Sequence, residues 1–364
     1  MDPRRRNVLI VIAALLAGGV VAIALASGGD DDGAGPAPAL TAPDGAPSDT
    51  AMAPAVPDGG EAEGHADGEA EGPASDAEPL DGTIPGADRE LAVGLGDQTL
   101  DMFQDPRFRK LGVKHVRLVA PWDMALRERK ELRAWIDAAK GAGADPFLAL
   151  NHSRGQQCPK DPCSAPSVKR FERAFRAMRE RFPDVTTFST WNEPNHASQP
   201  VRDRPGLVAS YYESMKRICT DCTIVAADVV GDSSAREFVR AFRRAIGGEP
   251  EIWGLHNYPD TNRFSFSGTR DFLGATKAPV WITETGGIVE FTTASGKQTF
   301  PYDEARAAKA TRHMLRVARS SPRIDRLYVY QWRKTAPTDR FDAGLVNLDG
   351  SARPAYDVLQ NAIR

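Results

Sequence analysis

Two glutamates stand out because each closes an apolar run. Glu193 sits in TFSTWNEPNHAS (residues 187–198) between Asn192 and Pro194, and Glu284 sits in VWITETGG (residues 280–287) behind β-branched and aromatic residues. A carboxylate in such surroundings needs a partner or a task, because burial penalises its charged form. Two of them facing one mouth have a defined task, the cleavage of a glycosidic bond. About 5–5.5 Å apart, one serves as nucleophile and the other as acid and then base; about 6.5–9.5 Å leaves room for a water and gives inversion. Other polar side chains gather in the same kind of position: Arg117 within HVRLVAPW, Asn151 and His152 after PFLAL, His256 and Tyr258 in LHNYPD, and Trp332 in VYQWR.

The elements that must carry these residues follow from hydrophobic periodicity. From residue 90 onward, short apolar runs alternate with segments of helical spacing, the signal for parallel strands covered by helices. The runs are Leu91 to Gly96, His115 to Trp122, Pro146 to His152, Thr186 to Trp191, Thr223 to Val230, Ile252 to Tyr258, Pro279 to Thr283 and Arg326 to Trp332. Between them, Phe171, Phe175, Met178 and Phe182 share one helical face, as do Phe238, Phe242 and Ile246. Eight such units in roughly 275 residues predict an α/β fold, a closed (β/α)8 barrel, with functional groups at the carboxyl ends of its strands. An open doubly wound sheet is the alternative. After the first strand it finds only the isolated Gly94-x-Gly96, short of a glycine-rich nucleotide fingerprint.

WNEPN on the fourth predicted strand and WITETG on the seventh resemble the retaining glycoside hydrolases of clan A, families 5 and 39 among them. The resemblance covers about residues 90 to 364. It implies that Glu193 is the acid/base and Glu284 the nucleophile, and that Asn192 bonds the sugar 2-hydroxyl. Arg117 would hold the nucleophile ionised, Tyr258 would donate to it with His256 alongside, and Trp332 would be a platform for the sugar's apolar face. The chemistry agrees: the charge of Glu284 would keep Glu193 protonated, and glycosylation of Glu284 would release it to act as base. Asn151 and His152 are further candidates for sugar contact. Burial in the barrel rim is the competing reading for Trp332 and for Trp122, and a structural role for His152 and His256. In the seventh loop, Phe291, Phe300 and Tyr302 are possible stacking groups.

The remainder of the chain bounds where this chemistry takes place. Residues 1–27 begin with Arg4, Arg5 and Arg6 and continue as an unbroken apolar stretch from Val8 to Ala26. Such a stretch is long enough to span a bilayer, as a signal-anchor helix or, with Ala24-Leu25-Ala26 before Ser27, as a cleaved signal. Either predicts an extracytoplasmic location. Residues 28–88 hold Ala, Pro, Gly, fifteen acidic residues and no Lys or Arg, the composition of a disordered linker. Residues 89–364, the expected catalytic domain, then carry 43 basic against 33 acidic groups although the whole chain is at −3. That balance suits a solvated Arg-rich helical coat, or a domain that meets an acidic glycan.

Cys158 and Cys163, and Cys219 and Cys222, form two close pairs. In an exported domain these are disulfide candidates of open connectivity, with a four-thiolate zinc site as the alternative. No His and Glu spacing proposes a metal, and no cofactor is expected. The expected partners are a polysaccharide or oligosaccharide and, through the N-terminal helix, a membrane, with no nucleic acid and a monomeric chain. The expectation is therefore a retaining glycosidase acting on a β-linked extracellular or envelope polysaccharide. A non-catalytic glycan-binding barrel, or a transglycosylase using the same residues, would share the motifs.

Overall fold

The computed structural model describes residues 90–363, so the expected anchor (1–27) and linker (28–88) lie outside the described residues. No described helix is long and apolar enough to cross a membrane. The apolar runs form β1 (Ala92–Gly96), β2 (His115–Pro121), β3 (Asp145–Asn151), β4 (Thr187–Ser189), β5 (Thr223–Val225), β6 (Asp228–Val230), β7 (Trp253–His256) and β8 (Val280–Thr285). After β8 come two short loop strands, β9 (Glu290–Thr292) and β10 (Gln298–Phe300), then β11 (Ile324–Tyr330) and β12 (Phe341–Asp342). Nine segments make one parallel sheet in the order β5-β4-β3-β2-β1-β11-β8-β7-β6.

The two ends of that order, β5 and β6, are consecutive pieces of one chain segment. Between them the Ala226 N–H donates to the Ile252 carbonyl at 2.9 Å and the Gly254 N–H to the Ala227 carbonyl at 3.0 Å, while β5 pairs with β4 and β6 with β7. The expected run from Thr223 to Val230 is thus a single barrel strand with a break, and the sheet is an eight-stranded (β/α) barrel. The break arises because this strand turns from one neighbour to the other as the sheet closes.

Outside the sheet, the predicted helical faces pack as their spacing requires. Phe171, Phe175 and Met178 of Val168–Arg181, Phe182 beyond it, and Phe238 and Phe242 of Ala235–Ile246 are all buried, and Ile246 is half-buried. Each aromatic contributes roughly 1.5–3 kcal/mol of burial, so this layer clamps the strands whose ends carry the polar residues. Helix starts are marked locally. The Ser167 and Asp303 side chains accept the Arg170 and Arg306 N–H groups, and Pro354 opens the last helix, Pro354–Ala362.

Inside the barrel lies an aromatic floor of Phe147, Trp281 and Tyr328 with Val225. The Phe147 ring is edge-on to Trp281 at 5.9 Å and tilted against Tyr328 at 5.2 Å. Gly94 makes this possible, because a Cβ there would meet the Tyr328 ring at 2.7 Å. The Arg117 guanidinium lies 5.7 Å above the Phe147 ring, so the polar mouth is built directly on this floor.

Candidate active site

The fourth strand ends at Ser189, and the turn that follows explains the WNEPN sequence residue by residue. Trp191 is buried, donates Nε1–H to Gln199 Oε1 at 2.9 Å and stacks on Tyr211, which stacks on Phe171. That anchor turns the neighbouring side chains inward. Asn192 N–H donates to the Leu150 carbonyl at 2.6 Å and Glu193 N–H to the Asp228 carbonyl at 2.8 Å, tying the turn to both adjacent strands. Asn195 completes it by bonding Val230 like a peptide group, Nδ2 to the carbonyl at 3.0 Å and Oδ1 from the N–H at 2.9 Å. Glu193 itself has φ +49°, in the left-handed region that costs a non-glycine side chain about 1–2 kcal/mol. The strain places its carboxyl inside the barrel mouth.

Arg117, projecting from β2, is the centre of the site. Its Nη1 donates to Glu284 Oε2 at 2.6 Å, and its Nη2 to Asn192 Oδ1 at 2.6 Å and Asp228 Oδ2 at 2.7 Å, with His256 Nε2 at 3.3 Å. All five side chains are buried, and the two carboxylates hold Arg117 firmly protonated against the opposing effect of burial. The second oxygen of Glu284, Oε1, accepts from the Tyr258 hydroxyl at 3.2 Å. Burial and the charge of Glu284 push the Tyr258 hydroxyl well above its usual range, so it remains a donor.

His256 links the arginine to the second glutamate. Burial lowers its pKa to about 4, the Arg117 charge acting in the same direction, so the ring is neutral near pH 7. A guanidinium only donates, so Nε2 faces it as acceptor and the ring proton belongs on Nδ1, which lies 2.9 Å from Glu193 Oε1. Glu193 therefore receives a hydrogen bond from a neutral donor, while Glu284 receives one from a cation and one from a phenol. One carboxyl oxygen of each glutamate and a His256 nitrogen lie within 4.8 Å of one another. Such a trio could ligate a cation, but Arg117 already supplies the positive charge at Glu284.

Arg117, Asn192, Glu193, His256, Tyr258 and Glu284, all singled out from the sequence, thus converge. Trp332 and Trp122 do not join them. Trp332, expected as a sugar platform, is buried against Phe108 and Tyr356 in the outer layer, with ring centroids 6.2 Å from each. The strand ends at Tyr330, so the alternation that points side chains inward stops before Trp332. Tyr330 is the aromatic on this strand that faces the mouth, in a cluster with Tyr258, Ile288, Phe291 and Phe341, its hydroxyl pushed well above its usual range by burial and by Glu284. Trp122 is buried in the outer core beneath Arg170, the rim placement. Asn151 is the last residue of β3 and its carbonyl accepts the Trp122 N–H at 2.8 Å. Half-buried His152 turns Nδ1 to the Ser153 carbonyl at 2.9 Å, and burial lowers its pKa.

The seventh loop contributes β9 and β10 to a small antiparallel sheet, β10-β9-β12, which β12 completes from the loop after β11. Phe291 is buried in it against Phe341, Phe300 lies under the Arg306 guanidinium, and Tyr302 is 55% exposed. Of the three expected stacking groups, Tyr302 is the one with an open face. The cysteines pair locally, Cys158 with Cys163 and Cys219 with Cys222. Sequence reasoning missed Asp228, although an aspartate inside the apolar run IVAADVV was a visible signal, and it missed Tyr330 and Asn195.

The glycosyl hydrolase catalytic core family model matches residues 164–358, more than half of the chain and both glutamates. The chain belongs to this family. Among solved structures, this glycosyl hydrolase core resembles a family 39 glycoside hydrolase from Bacteroides cellulosilyticus WH2, at 17% identity and a TM-score of 0.52, covering 77% of this chain and 65% of that one. It also resembles a GH39 β-xylosidase from Caulobacter crescentus (16% identity, TM-score 0.55, 75% of this chain and 71% of that one). A GH10 protein from Paenibacillus barcinonensis matches at 11% identity and a TM-score of 0.56, over 78% of this chain and 97% of that one. The chain spans about two thirds of the Bacteroides enzyme, and at these identities the three likenesses speak for the fold. No curated protein matches the chain.

Proposed function

We propose that this barrel hydrolyses a β-linked glycan with retention of configuration, Glu284 acting as nucleophile and Glu193 as acid and then base. The observation that carries the reading is the closeness of the two carboxylates: one oxygen of each lies within 4.8 Å of the other, which favours the short separation of retaining enzymes. In the first step Glu284 attacks the anomeric carbon, its charge aimed by Arg117 and Tyr258, while Glu193 protonates the departing glycosidic oxygen. His256 holds Oε1 of Glu193 and so orients its carboxyl toward the glycosidic oxygen. In the second step the ester at Glu284 carries no charge, Glu193 ionises more readily, and it removes a proton from the attacking water. Asn192, with Oδ1 occupied by Arg117, has its amide N–H groups to offer to the sugar 2-hydroxyl.

The N-terminal apolar segment supports export, as a membrane anchor or a cleaved signal, which would bring the barrel to an extracellular or envelope polysaccharide. We place the chain there as a monomer. Incubation of the full-length chain with β-glucan, mannan, xylan, galactan and acidic envelope polysaccharides, beside Glu284→Gln, tests the reading. New reducing ends from the unaltered chain alone, with the anomer of the first product matching the substrate, are the expected result. Binding to a glycan without release by either form would replace hydrolysis with adhesion, and longer products would indicate transfer to sugar.

A further inference from the structure

We infer that Asp228 is a positioning residue that holds Arg117 between the two glutamates and so keeps Glu193 available as an acid; the inference rests on the roles proposed above. Asp228 is fully buried and reaches both catalytic branches through different atoms. Its carboxylate Oδ2 accepts from Arg117 Nη2 at 2.7 Å, and the other end of that guanidinium holds Glu284. Its backbone carbonyl accepts the Glu193 N–H at 2.8 Å, and its own N–H donates to the Trp191 carbonyl at 3.0 Å. The neighbouring strand is shaped around it. Gly254 is its register partner on β7, and a Cβ at that glycine would come within 2.2 Å of Asp228 Oδ1.

The charges explain why a carboxylate is needed there. With Asp228 and Glu284 ionised and Glu193 protonated, Arg117 faces two negative charges, and the cluster carries a net −1. If Asp228 were neutral, Arg117 would face Glu284 alone, and once Glu284 became esterified the guanidinium would have no counter-ion but Glu193. Loss of that negative charge favours loss of the Glu193 proton in both states, the wrong direction for the acid step. Around Glu193 the cluster places His256 from β7, Tyr258 after it and Glu284 from β8, with Arg117 from β2 and Asp228 from β6 behind His256 and Tyr330 from β11 beside Glu284. Among them Asp228 is a fixed negative charge that takes no bond to sugar in the proposed reaction.

The test is the ionisation of Glu193 itself, read by ¹³C NMR of glutamate side-chain carboxyls in the full-length chain, with Glu193→Gln to assign the signal. Asp228→Asn should lower the Glu193 midpoint by about one pH unit or more, and Asp228→Ser should do the same if the first variant folds poorly. On a cleaved glycan, the basic limb of kcat/KM should fall in step, with KM little changed. A lowered midpoint in a protein whose unaltered form cleaves none of the glycans would support the placement of Asp228 and overturn the glycosidase reading. A Glu193 midpoint within about 0.3 units of the unaltered chain, in whichever variant folds, would overturn the inference whatever the activity.

Discussion

The two glutamates sit in the same mouth yet are held in opposite ways. Glu284 lies within β8, where the register with both neighbouring strands shifts, and both its oxygens accept hydrogen bonds, one from Arg117 and one from Tyr258. Glu193 lies beyond the end of β4, at φ +49°, and the group that reaches it from β7 is the neutral ring of His256. A carboxylate gripped by a cation and a phenol is held in one orientation, as the proposed nucleophile requires. A carboxyl on a strained turn beside a neutral donor suits the acid and base of the proposed reaction. The contrast teaches that the proposed division of labour follows from what surrounds each residue, since the side chains are chemically the same.

The strongest way to break the comparison is to remove each carboxyl. Glu284→Gln should abolish hydrolysis of every substrate. Glu193→Gln should cost ~10²–10⁴-fold on natural glycosides and far less on aryl glycosides whose leaving group needs no proton. With azide, Glu284→Ala and Glu193→Ala should yield glycosyl azides of opposite anomeric configuration; the same anomer from both would reverse or erase the role split.

Arg117→Met attacks the grip on the nucleophile and leaves Asp228 and Glu284 as buried charges without their cation. The expected loss is about 3–5 kcal/mol of stability, read from urea unfolding, and a folded remainder with little activity. Stability equal to that of the unaltered chain would show that the pairing is weaker than its geometry implies. Tyr258→Phe removes one hydrogen bond to an ionised group at no cost in volume. It should lower kcat about 10–100-fold with little change in KM, and an effect on KM alone would move Tyr258 to substrate binding.

The smallest effect concerns the acid side, through His256. The unfolded chain binds this proton below about pH 6.5 and the folded chain only below about 4. Between these values the unfolded state holds more protons, so stability rises with pH across the window. The contribution is complete above about 6.5 and is lost as pH falls toward 4. His256→Gln should flatten that part of the curve, a difference on the order of 3 kcal/mol at most. Parallel pH curves for the two proteins would mean that folding does not change how readily His256 takes up its proton.

Much of this was legible along the chain because it depends on local spacing. Phe171, Phe175 and Met178 recur at helical intervals and are buried on one face, and the run Thr223 to Val230 is apolar whichever neighbour it pairs with. WNEPN could be read as a strand end bearing an acid, yet the work of Trp191 and Asn195 depends on Tyr211, Gln199 and Val230, which the motif does not contain. Trp332 shows the limit of alternation. Two residues from an inward-facing Tyr330, it should have shared that face, but the strand had already ended and the indole packed between outer helices.

By itself, the sequence determined the barrel, its two glutamates and the arginine, histidine and tyrosine that accompany them, because strand period, helix period and short motifs are written within a few residues of one another. Only the tertiary structure decided which oxygen each donor reaches, that Asp228 shares Arg117 with Glu284, and that Tyr330 rather than Trp332 lines the mouth. Arg117 and Glu284 are 167 positions apart, and Arg117 and Asp228 are 111 apart. Contacts at that range exist only once the sheet has closed and its register has set which side chains meet, so no local pattern records them.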